Sequence, residues 1–178
     1  SQKQPLIITD LIEHDGQTLE RAALIGLPNR HNLLFDFATN RLLSWSQGDL
    51  ARQRTKGKNW YWEPAGSPLL ETKLKEPEFE LEVAGKRYVV GTDEQWLAEP
   101  RHVELRGDLA TVEYVLIFRE AGALATSQRV RVEVRHIIEP YQTETGHGLR
   151  RRMTFRGLPD KANLLWRLVN AKQVTEAR

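Results

Sequence analysis

The sequence predicts an all-β domain, an antiparallel β-sandwich of about ten short strands. Apolar and polar residues alternate in many short segments, and glycine, asparagine and aspartate separate these segments at short intervals. Almost no segment shows the apolar period of an amphipathic helix. Short strands spaced in this way are typical of antiparallel sandwiches and barrels.

The composition limits the classes of protein that this chain can represent. Its 178 residues, with 40% hydrophobic and 28% charged residues, suit one folded domain, and we treat residues 1–178 as that domain. The net charge of +2 gives no global field that favours nucleic acid. The absence of cysteine excludes thiolate metal sites and haem attachment through Cys-x-x-Cys-His within this chain. No apolar run reaches the length of about 18 residues that predicts a membrane span.

Both ends of the sequence suggest a piece cut from a longer protein. The N-terminal residues 1–5 are polar, begin without methionine and lack the apolar core of a signal peptide. The C-terminus stops shortly after a predicted strand. We therefore expect any export signal to lie outside this sequence.

The first third is organised around the segment Gly26–Asp49, which we expect to be a central hairpin. It is preceded by a β-rich run at Pro5–Thr9, a turn at Asp15-Gly16 and a buried strand at Arg21–Leu27. The hairpin strands are predicted at Asn32–Phe37 and Arg41–Ser46. We expect Ala38-Thr39-Asn40 to form the turn between them, because asparagine tolerates the left-handed conformation that a short loop needs.

The following segment is predicted to be irregular. Leu50–Asn59 is polar and basic, which favours an exposed loop with one helical turn at its start. The run Trp60-Tyr61-Trp62 comes next, and Pro64, Gly66 and Pro68 exclude long regular structure after it.

From residue 78 onwards the alternation is clear. Phe79, Leu81 and Val83 alternate with glutamates, and Thr92–Pro100 is predicted to be a connector with a short helix that holds Trp96. The remaining strands are predicted at Arg87–Val90, His102–Arg106, Thr111–Phe118, Ser127–Tyr141, Arg150–Gly157 and Asn163–Val169.

Aromatic residues are the first candidates for a binding site. Aromatic faces stack on sugar rings, and exposed tryptophan and tyrosine are favoured in recognition surfaces. Side chains alternate along an extended chain, so three adjacent aromatics cannot all point inward. The alternative is that these rings fill the ends of the sandwich. The candidate ligand-binding residues are Trp45, Trp60, Tyr61, Trp62 and Trp96.

Arginines in the last third form a second candidate surface. If the two strands that carry these arginines pair, the arginines form a basic face that could bind an acidic polysaccharide or another anionic partner. The alternative is a solvated face on which the arginines pair with glutamates. These arginines are Arg129, Arg131, Arg135, Arg150, Arg151, Arg152 and Arg156.

Histidines and carboxylates give no recognisable catalytic or metal-binding motif. His136 and His147 would hold a metal only if a hairpin paired them, and His136 fits better as a hydrogen-bonded core residue. The sequence therefore assigns no metal site. The carboxylates available for acid–base chemistry on sugars are Asp36, Asp49, Glu63, Asp93, Glu94 and Glu139.

Several segments resemble a region of large multidomain proteins of planctomycetes and related bacteria. The segments are Gly26-Leu27-Pro28, Asn32–Asp36, Arg41–Trp45, Gly48-Asp49, Trp60, Gly66-Ser67-Pro68, Val115–Phe118, Arg129–Ile138 and Gly148–Phe155. Those proteins combine a propeller similar to quinone-dependent sugar dehydrogenases with c-type haem domains. These matches are strand and turn signatures, and the basic run at residues 52–56 departs from the glycine-rich run of that family.

The resemblance implies a non-catalytic accessory domain of an exported, periplasmic redox protein. Its role would be carbohydrate recognition or domain assembly, with carbohydrate and flanking domains of the same polypeptide as partners. It implies a large sandwich akin to those of carbohydrate-active proteins. It also implies that haem or quinone belongs to flanking domains, with no cofactor in this chain. The alternative is a sandwich-type carbohydrate-active enzyme domain that uses carboxylate and histidine acid–base chemistry.

Overall fold

The computed structural model describes residues 6–72, 78–90, 99, 101–124 and 126–167, and these fold into an all-β structure. The first eight strands are β1 Leu6–Ile8, β2 Ile12–His14, β3 Gln17–Leu19, β4 Ala22–Gly26, β5 His31–Asp36, β6 Arg41–Gln47, β7 Ala51–Lys56 and β8 Asn59–Pro64. The others are β9 Ser67–Glu71, β10 Phe79–Val83, β11 Lys86–Val90, β12 His102–Arg106, β13 Leu109–Glu120, β14 Arg129–Thr143, β15 Gly146–Arg156 and β16 Ala162–Trp166.

These strands form three sheets. The central sheet has five strands in the order β1-β4-β5-β6-β9. The large sheet has seven strands, ordered β15-β14-β13-β11-β10-β16 with β12 also paired to β13, and the small sheet has the order β3-β2-β8-β7. Every pairing is antiparallel except that of β2 with β8. The predicted antiparallel, sandwich-like fold class is confirmed, while the strands exceed the ten that we expected.

The central sheet is covered on both faces. Leu33 and Phe35 of β5 pack into the core shared with the large sheet, whereas Leu34 packs into a smaller core shared with the small sheet. Both β4 and β5 are buried along their whole length. Their nearly continuous apolar sequences agree with this, because a strand that buries both faces shows no alternation.

The predicted central hairpin is confirmed. β5 and β6 pair across a turn in which Asn40 has a left-handed backbone, with φ of 48°. The Asn40 side chain donates from Nδ2 to the Val115 carbonyl of the large sheet at 2.9 Å. At the other end Asn32 Nδ2 donates to the Gly48 carbonyl at 3.0 Å. The hairpin is therefore fixed at its turn and at its exit.

The prediction of an exposed loop with a helical turn at Leu50–Asn59 is wrong. Residues 51–56 form β7, which pairs with β8 around a Lys56-Gly57-Lys58-Asn59 turn. All of Arg52–Lys56 is exposed, so neither face of β7 supplies the apolar alternation that predicts a strand. Pairing with β8, which Trp62 anchors to the small core, holds it in place.

Two other differences concern the beginning of the chain and the connector before β12. Strands β2 and β3 were not predicted, because each has only three residues and mixes polar with apolar side chains, although the Asp15-Gly16 turn between them is confirmed. The predicted helix around Trp96 lies outside the described residues.

Candidate functional site

The β7–β8 hairpin carries the most exposed of the described candidate aromatics. Trp60 is 45% exposed, whereas Trp62 packs on the small core. Their ring centroids are 6.4 Å apart and the rings are nearly perpendicular, at 89°. Tyr61 lies on the opposite face of the strand, beside Arg54 in the register. Trp60 therefore offers a free aromatic face whose edge is supported by a half-buried second ring.

The same hairpin is basic. Arg52 and Arg54 donate to the Glu63 carboxylate at 2.9 and 3.2 Å. These hydrogen bonds lower the pKa of Glu63, so it stays ionised and holds both guanidinium groups on one face of the hairpin. Within the described part of the chain, Lys56 and Lys58 at the turn make no ion pair, and both are exposed. An anionic ligand would meet these lysines first.

Trp45 occupies a different place. It is half-buried on β6, and its indole Nε1 donates to Nδ1 of His31 at 2.9 Å. Trp96 lies outside the described residues. Of the predicted ligand-binding residues, the structure thus brings Trp60 and Trp62 together, with Tyr61 behind them and Trp45 in another layer.

Trp45 belongs to a directed chain of hydrogen bonds. Because an indole N–H can only donate, Nδ1 of His31 is unprotonated and its proton resides on Nε2. His31 Nε2 then donates to Nδ1 of His147 at 2.9 Å. Burial and the nearby His147 lower the pKa of His31, which favours its neutral form. These hydrogen bonds link the central sheet to the start of β15 in the large sheet.

This tautomer disfavours metal binding at the histidine pair, since the protonated Nε2 of His31 cannot act as a ligand. His136 and His147 do not pair across the β14–β15 hairpin, because His136 lies opposite Met153 and His147 opposite Gln142. Among the residues that the structure describes, no group of three or more His, Asp or Glu side chains is placed to hold a metal ion.

His136 is a fully buried, hydrogen-bonded core residue, as predicted. Arg151 Nε donates to its Nε2 at 3.0 Å, and Arg151 Nη2 lies 3.5 Å from the Glu78 carboxylate. Burial raises the pKa of Glu78, while Arg151 opposes that shift. A carboxylate and a histidine thus share one guanidinium group between the central and large sheets, and all three side chains are largely or fully buried.

Glu78 was not among the predicted site residues. In the sequence it starts the series Glu78, Glu80, Glu82 and looks like one more solvent-facing glutamate. The structure places it just before β10, turned towards Arg151 and accepting a 3.4 Å hydrogen bond from the backbone N–H of Leu42. The only hint in the sequence that Glu78 differs from Glu80 and Glu82 is its position before the first apolar residue of β10, Phe79. Alternation does not fix the direction of a side chain outside the strand.

The other candidate carboxylates are dispersed. Asp36 accepts hydrogen bonds from Ala38 and Thr39 in its own turn, and Asp49 pairs with Arg30. Glu63 and Glu139 each hold two arginines. Asp93 and Glu94 lie outside the described residues. The described members of this set therefore act as separate structural acceptors.

The predicted basic surface exists on the outer face of the large sheet, and we call it the arginine face. β14 and β15 pair along their length, and their outward positions continue onto β13 and β12. Arg151 alone among the predicted set points inward. Among the described residues of β12 to β15 the face carries eight arginines, Arg106, Arg119, Arg129, Arg131, Arg135, Arg150, Arg152 and Arg156, and four glutamates, Glu104, Glu113, Glu133 and Glu139. A fifth glutamate, Glu99, reaches the face from the segment before β12 and pairs with Arg131.

A cleft of about 500 Å³ opens on the arginine face. Its lining includes Arg101, Arg131, Arg135 and Arg156, together with Glu113 and Glu133. Arg135 lies 3.6 Å from Glu113, and Glu133 is shared by Arg131 at 2.9 Å and Arg156 at 3.9 Å. Four guanidinium groups therefore line one cleft, and Glu113 and Glu133 hold three of them in place.

No protein-family model, curated protein or solved structure matches this chain. In the described residues no helix has the length and apolar character needed to cross a bilayer. We therefore infer function from the chemistry of these surfaces.

Proposed function

We propose that this chain is a non-catalytic domain that recognises carbohydrate through the β7–β8 hairpin. The observation that carries the proposal is the 45% exposure of Trp60 on a projecting hairpin, edge-on to Trp62. Leaving a large aromatic ring in water forgoes the stabilisation that its burial would give, so its exposure favours a role in binding. A sugar ring can cover it with an apolar C–H face.

The basic residues of the β7–β8 hairpin favour an acidic polysaccharide. Lys56 and Lys58 flank the turn, and Glu63 holds Arg52 and Arg54 on the other face. Lysine binds carboxylate or sulfate groups as a mobile point charge, so it suits a ligand whose charges recur along a flexible chain. The Trp60 ring would stack on a sugar ring, and the lysines would bind its carboxylate or sulfate groups.

The resemblance to multidomain redox proteins extends this proposal to the whole polypeptide. In that setting the chain would be an accessory part of an exported, periplasmic protein, with quinone and haem carried by flanking domains. The alternative of an acid–base enzyme has weaker support, because the described His–Arg–Glu arrangement is buried between sheets.

Affinity gel electrophoresis with embedded polysaccharides tests the proposal. We expect polygalacturonate to retard the wild-type domain more than uncharged glucan does, and Trp60→Ala to abolish most of that retardation. Truncating a central aromatic anchor typically costs about 2 kcal/mol or more, which is roughly thirtyfold in affinity. Lys56→Ser with Lys58→Ser should weaken binding to polygalacturonate and leave binding to neutral glucan unchanged.

Leu165→Ala is the matched control, since it removes a 52% exposed apolar side chain from a different sheet. It should migrate as the wild type does in every gel. Equal retardation of Trp60→Ala and wild type would refute the proposed site. Absence of retardation by any neutral or acidic polysaccharide would refute carbohydrate recognition itself.

A further inference from the structure

We propose that the arginine face binds an extended acidic segment of another polypeptide, laid along β14 over the cleft. This second surface lies on the large sheet, whereas the Trp60 hairpin belongs to the small sheet, with the central sheet between them. Its partner is defined by carboxylate side chains at alternate positions of an extended chain.

The spacing of the arginines matches such a segment. Arg131 and Arg135 are four residues apart on β14, and Arg156 lies on β15 opposite Glu133, between them. Strand residues rise about 3.4 Å each, so these two arginines are about 14 Å apart along the strand. An extended partner presents carboxylates on one side about every 7 Å. Its acidic residues can therefore meet the arginines in register.

The chain itself shows how a carboxylate sits on this face. Glu99, which precedes β12, accepts from Arg131 Nε at 3.2 Å and Nη2 at 3.1 Å. Both N–H groups thus converge on a single oxygen, Glu99 Oε2, in a charge-assisted contact. Arg135, Arg150, Arg152 and Arg156 provide further guanidinium groups along β14 and β15.

The lining of the cleft combines charged and apolar groups. Arg101 is one of the charged groups; burial and the neighbouring Arg21 lower its pKa, and Asp36 opposes this. Val115 is buried on the same face and gives the cleft an apolar floor. Charge and shape thus both suit a narrow acidic chain.

Glutamates of the arginine face itself limit its affinity for an acidic segment. Glu133 holds Arg131 and Arg156, and Glu113 holds Arg135, so a partner's carboxylates compete with groups already in place. Exposed ion pairs contribute little each, and salt screens them. The contact is therefore expected to be reversible and strongly salt-dependent, as suits docking between domains or transient partners.

Fluorescence anisotropy tests this with a labelled twelve-residue peptide of alternating Glu and Thr. We expect binding at low salt that weakens steeply on adding sodium chloride, and none for the Lys/Thr counterpart. Arg135→Ala and Arg156→Ala should each weaken binding about fivefold. Glu133→Gln should strengthen it about fivefold, because it frees Arg156 and leaves Arg131 held by Glu99 alone. This gain cannot arise from misfolding.

Lys58→Ala and Trp60→Ala are the matched controls, and both should bind the peptide like the wild type. The proposal is overturned if the arginine variants bind the peptide as tightly as the wild type, or if Glu133→Gln gives no gain. It is also overturned if polygalacturonate, and not the peptide, binds in an Arg135-dependent way. None of these results bears on glycan binding by the Trp60 variants.

Discussion

At the scale of single residues, the neutral histidines connect hydrogen-bond geometry to stability. His31 accepts from Trp45 and donates to His147, while His136 accepts from Arg151 in the core. A proton added to either buried ring removes an acceptor and places a charge where burial disfavours it. Burial accordingly lowers the pKa of both histidines in the folded protein.

We predict that acid destabilises the protein through these two rings. The unfolded chain takes up protons near the ordinary histidine pKa of 6.5, whereas folded His31 and His136 take them up only at lower pH. The unfolded state then binds more protons, so the free energy of unfolding falls as the pH falls below about 6.5. Urea unfolding of the wild type at a series of pH values between about 8 and 5 measures this loss.

His31→Gln tests the assignment to a particular ring. It should be less stable than the wild type near pH 8 but lose less of its remaining stability on acidification. Leu34→Ala, destabilised at a non-titrating core site, should keep the wild-type pH dependence. If His31→Gln and Leu34→Ala lose stability in parallel as the pH falls, His31 does not contribute.

The sequence predicts local exposure better than long-range contacts. Alternation required at least one of Trp60, Tyr61 and Trp62 to be exposed, and Trp60 is. The Trp45–His31–His147 chain was not predicted, because 116 residues separate its two histidines and only the tertiary fold joins them. The same holds for Glu78 and Arg151, whose pairing no local pattern encodes.

At the scale of elements, prediction succeeded where one strand carries its own pattern. The β5–β6 hairpin was predicted within one residue at each strand end, because its apolar runs and its Asn40 turn are local signals. β7 was missed because its sequence is polar on both faces, and its pairing with β8 supplies what its own residues lack. Strand formation there depends on the neighbour.

Asn40 gives a prediction at this scale, since it terminates the hairpin and joins it to the large sheet. Asn40→Gly keeps the left-handed backbone but leaves the Val115 carbonyl without its 2.9 Å donor, which should cost about 1–3 kcal/mol. Asn40→Ala should cost about 1 kcal/mol more, because φ of 48° disfavours a side chain without asparagine's local hydrogen bonding. Chemical denaturation of both variants separates the two effects. Equal stability of Asn40→Gly and wild type would show that the contact is unimportant.

At the scale of the whole molecule, the central sheet serves two cores. The continuous apolar sequence of Arg21–Leu27 was interpreted as a buried strand, and β4 is indeed buried on both faces. What the sequence could not show is which sheet covers each face. The small sheet is made from β2, β3, β7 and β8, most of whose residues are polar, so its presence is not visible as a separate hydrophobic pattern.

Adjacent leucines in β5 test the three-layer arrangement directly. Leu33 and Leu34 are each 1% exposed but belong to different cores, one facing the large sheet and the other the small sheet. In a two-layer sandwich one of two adjacent residues faces water, and its truncation changes stability by less than about 0.5 kcal/mol. Here Leu33→Ala and Leu34→Ala should each cost about 2–5 kcal/mol, because each leaves a cavity in packed apolar surroundings. Urea unfolding measures both, and a small effect for Leu34→Ala would mean that the small sheet does not pack stably on the central one.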